Sequence, residues 1–458
     1  MQSNLENIFI VPVNDRFLLH SPYHNLSVLL NGSAVSMIKK LIGQNSSIEN
    51  LQIQEIIGIL SKRIKPLETG VSQEFAPDFL GIIPTRGCNS KCLYCDFGIE
   101  KADKTKMEYR IAVTAVDWFI ASQTAAGKEI VSIQFFGGEP MVVPDVVQTV
   151  VHRTRLAARK GKIYPTFDIS TNGQFSEEWA RFLGDYFKSV TLSIDGPTAY
   201  QEKTRPRKDG KGSSTFAENT ARIISVSNAD LYCRCCVTSD NQDYLNDITT
   251  WFCEEFNPTG INFEVMQPTG RTERFKLEPP DPYTFAKNFI TSRRTAESHG
   301  VKTVYASDFS DEPQRTSCPV GKDAIIVSPD GTLTGCYLLP ERWEEKGINL
   351  DFGRVVNSDV KLNYKNIDNI RKMVMHKPLC VACFCKWHCA GGCHVGTSYP
   401  GCPEEYNDFC IQTRIITAAT ILEGMGLSDE IENLCGDHNQ MKKLALNKTD
   451  ILRDFPKK

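Results

Sequence analysis

Cys88, Cys92 and Cys95 stand at spacings of four and three in the segment Ile83-Pro-Thr-Arg-Gly-Cys-Asn-Ser-Lys-Cys-Leu-Tyr-Cys. A short loop with this spacing can present three thiolates to one face of a cubic iron–sulfur cluster, which normally takes four Cys ligands. With three supplied locally, one iron stays open to a small molecule. The bland alternatives are a zinc knuckle or a group of buried thiols. A second cysteine field lies further on: Cys318, then Cys336, then Cys380-x2-Cys383-x5-Cys389-x3-Cys393, then Cys410. Apolar Ala324-Ile-Ile-Val and Thr332-Leu-Thr flank Pro329-Asp-Gly, a strong hairpin signal that brings Cys318 and Cys336 together. The alternative for this field is a pair of zinc sites with His388 and His394 as extra ligands.

Length and composition frame these residues. The chain has 458 residues, enough for several domains. Hydrophobic residues are 41% and charged residues 23%, ordinary for a globular protein. A net charge of −3 provides no basic field for nucleic acid. The start of the chain lacks a basic n-region and a long apolar h-region, and no run approaches the length of a membrane span. Of 17 cysteines, 12 fall in the two fields, which argues for metal sites in a reducing, cytoplasmic setting rather than a disulfide scaffold. Cys233, Cys235, Cys236, Cys253 and Cys435 sit in apolar patterns and read as small core residues.

The elements that must position the cysteines follow from hydrophobic periodicity. Ile8–Val13, a turn at Asn14-Asp15 and Arg16–His20 read as a hairpin, with Leu26–Leu30 as a third strand. A helix capped by Ser33 and stopped at Gly43, and a second with Ile53, Ile56, Ile57 and Leu60 on one face, complete a small α+β unit over 1–76. From Phe79 strand and helix alternate. Strands are expected at 79–85, 130–136, 166–171, 189–195, 231–238 and 261–267, with helices near 105–125, 144–160, 177–187, 214–227 and 244–256. Repeated β-then-α units imply parallel strands with right-handed crossovers. Chemistry in such barrels gathers at the C-terminal strand ends. The cysteine loop, Gly137-Gly-Glu-Pro, Ser170-Thr-Asn-Gly and Ser193-Ile-Asp-Gly follow or end the first four strands, so they should ring one site.

These motifs together resemble the radical SAM enzymes, over about residues 77–424. The resemblance implies an α/β fold: an open six-unit (β/α) barrel at 77–300, a SPASM domain with auxiliary iron–sulfur clusters at 301–424 and a helical tail at 425–458. It implies that Cys88, Cys92 and Cys95 bind a 4Fe–4S cluster whose open iron takes S-adenosylmethionine (SAM), which one electron cleaves to a 5′-deoxyadenosyl radical. Gly138 and Glu139 then match the motif that holds the SAM amino group. Tyr94 matches the aromatic position near the adenine, and Ser193 and Arg205 match the ribose and carboxylate positions. Arg234, on the fifth strand, is an inward-facing candidate partner for the carboxylate or a member of a core ion pair. The seven-cysteine spacing of the second field is similar to that of SPASM extensions. The resemblance implies a cluster on Cys318, Cys336 and Cys393, and another on Cys380, Cys383, Cys389 and Cys410. That makes three 4Fe–4S clusters in all. The first auxiliary set is one ligand short, with Cys385, Cys402 or a substrate thiol open as the fourth.

SPASM-bearing enzymes mostly modify peptides or proteins. Sulfatase-maturing enzymes carry an Asp base immediately after the second hairpin Cys, where this chain has Tyr337, and they generally lack a leading domain like 1–76. Both departures favour a maturase that abstracts hydrogen from a ribosomally made precursor peptide and leaves a cross-link or related modification. The alternatives are a sulfatase-maturing-type protein oxidase and, from another class, a non-catalytic electron carrier or scaffold. The expected partners are a precursor peptide or protein and a flavodoxin- or ferredoxin-type reductant, with no nucleic acid and no membrane. The 1–76 unit is expected to read the precursor's leader through a sheet edge, with Ile8, Ile10, Phe17 and Leu19 as candidates for the strands involved; the alternative is that these residues only pack the unit against the barrel.

Overall fold

β1 (Phe9–Val13) and β2 (Arg16–Ser21) form the expected hairpin, and β3 (Leu26–Leu30) pairs antiparallel with β2. Asn14 makes the turn with φ of 52°, a left-handed conformation that Asn tolerates. The computed structural model describes residues 7–41, 50–62, 75, 77, 79–95, 97, 105–305, 313, 324–373, 378–393, 395, 405–447 and 450–451. Helices Gly32–Leu41 and Leu51–Leu60 follow the sheet. The first is capped by Asn31, whose side chain accepts from the Ala34 N–H at 2.9 Å, and not by Ser33. Its expected stop at Gly43 and most of the 71–78 linker lie outside the described residues.

The period of two along β1 and β2 gives the sheet two buried faces. Ile8, Ile10 and Leu19 pack beneath the two helices with Val35, Ile38, Ile53, Ile56 and Leu60. Phe9, Val11, Val13 and Leu18 belong to the large core of the rest of the chain. This corrects two expectations. The N-terminal unit shares that large core instead of standing alone, and Ile8, Ile10 and Leu19 are too deeply buried to meet a peptide.

β4 (Phe79–Ile82), β5 (Ile130–Phe135), β6 (Tyr164–Thr171), β7 (Ser189–Ser193), β8 (Asp230–Val237) and β9 (Gly260–Val265) are parallel, each hydrogen-bonded to the next. Helices Tyr109–Ala125, Pro144–Gly161, Glu177–Tyr186, Ser214–Ser225 and Leu245–Phe256 lie between them in sequence, and Pro282–Ser298 follows β9. The parallel run extends past these six strands. β10 (Lys302–Val304) adds beside β9, and β11 (Ala324–Val327) adds beside β4. β12 (Thr332–Thr334), β13 (Asp351–Val356) and β14 (Asp359–Leu362) continue antiparallel, so the mixed sheet has 11 strands among the described residues. The Asp330-Gly331 hairpin forms as expected, with Gly331 at φ of 83°. Its first strand is nevertheless part of the parallel array, where the sequence grouping placed it in a separate C-terminal domain. Along β8, Leu231, Cys233, Cys235 and Val237 are buried against the helices, while Asp230, Tyr232, Arg234 and Cys236 take the opposite face. Asp230, Tyr232 and Arg234 on that face line a cavity together with Gln134, Asp168, Ser189 and Asn262 of the neighbouring strands. Among the described residues, no helix is long and apolar enough to cross a membrane.

The end of the chain returns to its beginning. Helices Asp408–Gly424, Ser428–Gly436 and His438–Leu446 lead to β15 (Asp450–Ile451), which pairs with β1; the expected helical tail thus ends in a strand. β1 is thereby covered, and β3 has β2 as its one described neighbour. The short helix Lys386–Cys389 of the second cysteine field plugs onto the same sheet. The Trp387 Nε1–H donates to Asn7 Oδ1 at 2.9 Å, and the Trp387 ring meets Tyr23 edge-on at 4.8 Å. His388 Nε2 lies 2.9 Å from His20 Nε2, so one of the zinc alternative's two extra ligands is engaged with another imidazole; the other, His394, lies outside the described residues. Burial, reinforced by His388, lowers the His20 pKa to about 3 and keeps the ring neutral. Replacing Trp387 with Ala should cost about 3–5 kcal/mol, as for other buried large-to-small changes. Thermal denaturation should show the loss, and limited proteolysis should cut first within residues 7–62.

Candidate active site at the cysteine loop

The cysteine loop leaves β4 and is fastened by backbone bonds on both sides. The Gly138 N–H donates to Thr85 O at 3.1 Å and the Glu139 N–H to Gly87 O at 2.9 Å. On the other side, the Lys91 N–H donates to Pro206 O and the Leu93 N–H to Thr204 O, at 2.7 and 2.9 Å. Arg271, which sequence reasoning missed, donates from Nε to Cys92 O at 2.9 Å. A Cβ on Gly138 would lie 2.2 Å from Gly87 O and 2.3 Å from Arg86 O. Gly138 does line the cavity, but the close approach that requires glycine is to the cysteine loop and not to a ligand.

Cys88, Cys92 and Cys95 line one cavity of about 230 Å³, together with Tyr94, Gly138, Glu139, Ser193, Arg205 and Arg234. The structure therefore brings together every residue expected around the first cluster. Among the described residues, no group of three His, Cys, Asp or Glu side chains is placed to hold a single metal ion. The loop thiols face a shared space instead. Burial, with the Glu139 carboxylate adding to it, pushes the Cys88 thiol up to about 11; burial and the neighbouring Cys92 push Cys95 up to about 12. A bound cationic centre would supply the charge that makes such thiols into thiolates.

The polar groups around the thiols are tightly coupled. Glu139 is 2% exposed and accepts from the Thr171 hydroxyl at 2.7 Å, the Asn172 N–H at 2.7 Å and the Met141 N–H at 3.0 Å. A carboxylate has about four acceptor sites, so capacity remains for one more donor. Burial raises its pKa. Arg205 donates to the Tyr94 hydroxyl at 2.6 Å, and that hydroxyl donates to Asp195 Oδ2 at 2.7 Å. Asp195 is fully buried and also accepts from the Thr204 hydroxyl at 2.6 Å and the Cys236 N–H at 3.1 Å. Asp195 is the organising carboxylate that sequence reasoning passed over, although it sits inside Ser193-Ile-Asp-Gly. Cys236, read as core, lines the cavity; its spacing of two from Arg234 was the available signal. Arg234 faces inward as expected and pairs with Glu264 at 2.8 Å.

A second cavity of about 840 Å³ is lined by Asp168, Ser189, Asn262, Tyr337, Cys336 and Cys393, among others. Phe97 and Phe136 line both cavities. Their rings stand 4.9 Å apart, and Phe136 stands 4.9 Å from Tyr337. In the second cysteine field, Cys318 and Cys402 lie outside the described residues. Cys336 and Cys393 share the second cavity. Cys380, Cys383 and Cys410 each lie near enough to Cys389 to act on it electrostatically. A hydrogen bond from Cys385, with the nearby Arg414 guanidinium, lowers the Cys383 pKa to about 5. Cys385 therefore sits beside Cys383.

Residues 82–224 match the radical SAM superfamily. The chain carries a radical SAM domain. It is similar to the cysteine-type anaerobic sulfatase-maturating enzyme of Clostridium perfringens, 24% identical over 67% of this chain and 86% of the relative. It is also similar to the radical SAM cyclopropyl synthase TigE of Paramaledivibacter caminithermalis, 20% identical over 82% of this chain and 80% of the relative. In fold it resembles native anSMEcpe with bound AdoMet and Cp18Cys peptide, with a TM-score of 0.61 and 19% identity over 77% of this chain and all of that one. Membership implies SAM and a 4Fe–4S cluster. The residues of this radical SAM enzyme fit both: three thiols open on one cavity, and the buried Arg205 Nε beside them has no hydrogen-bond partner. Replacing Asp195 with Ala strands the buried Arg205 and removes the acceptor shared by Tyr94, Thr204 and Cys236, a loss of about 3–5 kcal/mol for a buried charge pair. SAM binding measured by equilibrium dialysis should weaken more than tenfold, while anaerobic iron analysis shows the cluster on Cys88, Cys92 and Cys95 retained.

Proposed function

We propose that this radical SAM enzyme is a peptide maturase that abstracts hydrogen from a ribosomally made precursor and leaves a cross-link or related modification. The observation that carries this reading is the larger chamber beyond the cysteine-loop cavity, reaching from Phe97 and Phe136 to Cys336 and Cys393. It is large enough for a side chain with its flanking backbone. In this reading residues 77–300 are the six-unit barrel and 301–424 a SPASM domain. Cys88, Cys92 and Cys95 hold the SAM cluster, Glu139 takes the SAM amino group at its unused acceptor site, and Arg205 Nε takes the carboxylate. Ser193 and Tyr94 flank the nucleoside. Arg234 acts through Glu264 and positions the cavity wall. When bound, SAM and its cluster supply a 5′-deoxyadenosyl radical. Cys318, Cys336 and Cys393 would hold a first auxiliary cluster, and Cys380, Cys383, Cys389 and Cys410 a second, for three in total. The reductant is a flavodoxin- or ferredoxin-type protein.

Tyr337 favours this reading over a sulfatase-maturing oxidase. Burial raises its phenol pKa well above the ordinary range, so it serves as a donor and not as the base such an oxidase needs. The central test is anaerobic incubation of the reduced protein with SAM. 5′-Deoxyadenosine should form, and replacing Cys88, Cys92 and Cys95 together with Ala should abolish it. Persistence of SAM cleavage in that variant would remove the cluster assignment.

The leader reader is assigned to β3, whose outer edge is open among the described residues, because β1 is covered by β15. An extended peptide added there gains backbone hydrogen bonds along Leu26–Leu30. Deleting the whole unit is a poor test, since Phe9, Val11, Val13 and Leu18 belong to the main core. Val28→Pro and Leu29→Pro are better, because strand N–H groups alternate between the two sides and one of the pair spares the β2 ladder. That variant should modify a full-length precursor at least tenfold more slowly, with uncoupled SAM cleavage unchanged. Equal rates of precursor modification in both variants and the native protein would refute the assignment.

A further inference from the structure

We infer that Arg414 is the resident counter-charge of the second auxiliary cluster and sets its reduction potential. The inference rests on the reading of Cys380, Cys383, Cys389 and Cys410 as the ligands of that cluster.

Arg414 stands four residues after Cys410 on helix Asp408–Gly424, so both side chains lie on one helix face. It is 2% exposed, and it is among the largest fully buried side chains. Its Nη1–H donates to Cys383 Sγ at 3.2 Å. Its Nη2 donates to Leu444 O at 3.1 Å and Asn447 O at 2.7 Å, at the end of helix His438–Leu446. The guanidinium lies 4.9 Å from the Phe384 ring centroid and 4.3 Å from that of Tyr406. Its Nε is buried without a partner. Among the described residues, no carboxylate meets it.

A buried cation without an anion is unstable. Two helix-end carbonyls and two ring faces offer only partial negative charge. The full charge must come from the thiolate side. Four thiolates bring more negative charge to a cubic cluster than its oxidised core brings positive. A guanidinium bonded to one of those sulfurs offsets the excess. Reduction adds one electron to the cluster, takes up no proton and breaks no bond, and it increases the negative charge that Arg414 faces. The cation therefore stabilises the reduced form and raises the potential, through net charge and a hydrogen bond to sulfur. Because the same guanidinium caps helix His438–Leu446, a purely structural role predicts lost stability with no change in potential.

The two roles separate in a redox titration of the full-length reconstituted chain, followed by electron paramagnetic resonance. The Cys88/Cys92/Cys95→Ala background leaves only the auxiliary clusters visible. In Arg414→Met, the ratio of reduced to oxidised second cluster at the native midpoint should fall about tenfold, a shift of about 59 mV for a one-electron couple. Arg414→Lys keeps the charge and should stay within about threefold of native. An unchanged midpoint in Arg414→Met with its iron retained would overturn the inference. So would equal loss of four irons from both variants, since that marks Arg414 as packing alone. Absence of any cluster from the second field in the native chain would overturn the cluster assignment and the inference together, and iron analysis distinguishes that result from the other two.

Discussion

The structure depends on one close approach, the backbone of Gly137-Gly138-Glu139 against that of Thr85–Gly87. At Gly138 the two backbones come nearer than any Cβ allows. Two N–H donors then bind the cysteine loop to the end of β5. Glu139 is fixed in the same stroke, and its carboxylate gathers Thr171 and Asn172 from the end of β6. Three strand ends are thus tied into one rim before any ligand arrives. Asn172 continues the chain of contacts back to the loop, donating to Asn89 Oδ1 and Ser90 Oγ. Preorganisation of this kind keeps the cost of ordering a flexible cysteine loop out of ligand binding.

Opposite that rim, Asp195 plays the matching part at the end of β7. It is buried and surrounded by donors from three segments. Tyr94 relays between it and Arg205, so the loop's aromatic side chain and the cationic group are held by one carboxylate. The charge balance of the cavity is local: Arg205 with Asp195, and Arg234 with Glu264. That leaves Arg205 Nε and the last acceptor position of Glu139 as unfilled polar capacity, one donor and one acceptor. An amino acid's carboxylate and ammonium need this pair.

The N-terminal sheet is bound to the rest of the molecule on several fronts. One face shares the main core, β15 covers one edge, and helix Lys386–Cys389 docks through Trp387 and His388. A peptide held on β3 would thus sit on an element in direct contact with the second cysteine field. Arg414 extends the same connection toward helix His438–Leu446.

Much of this was legible in the residues. Cysteine spacing is local chemistry, and period-two and period-3.6 patterns report on burial whatever the topology; hence the six core strands, their helices, the hairpins and the ring of motifs all stood in the sequence. Partner choice was not legible, because it depends on neighbours far along the chain. No local signal says that β11 joins β4, that β15 closes over β1, or that Ile8 and Phe9 serve different cores. For the same reason Asp195 and Arg414 drew no notice in the sequence, and Cys236 read as core. Each acquires its role only when folding buries its charge or thiol beside groups distant in sequence, as with Arg414 and Cys383 or Tyr94 and Asp195. Burial raises the energetic stakes of every polar group, and only the tertiary structure decides which ones are buried.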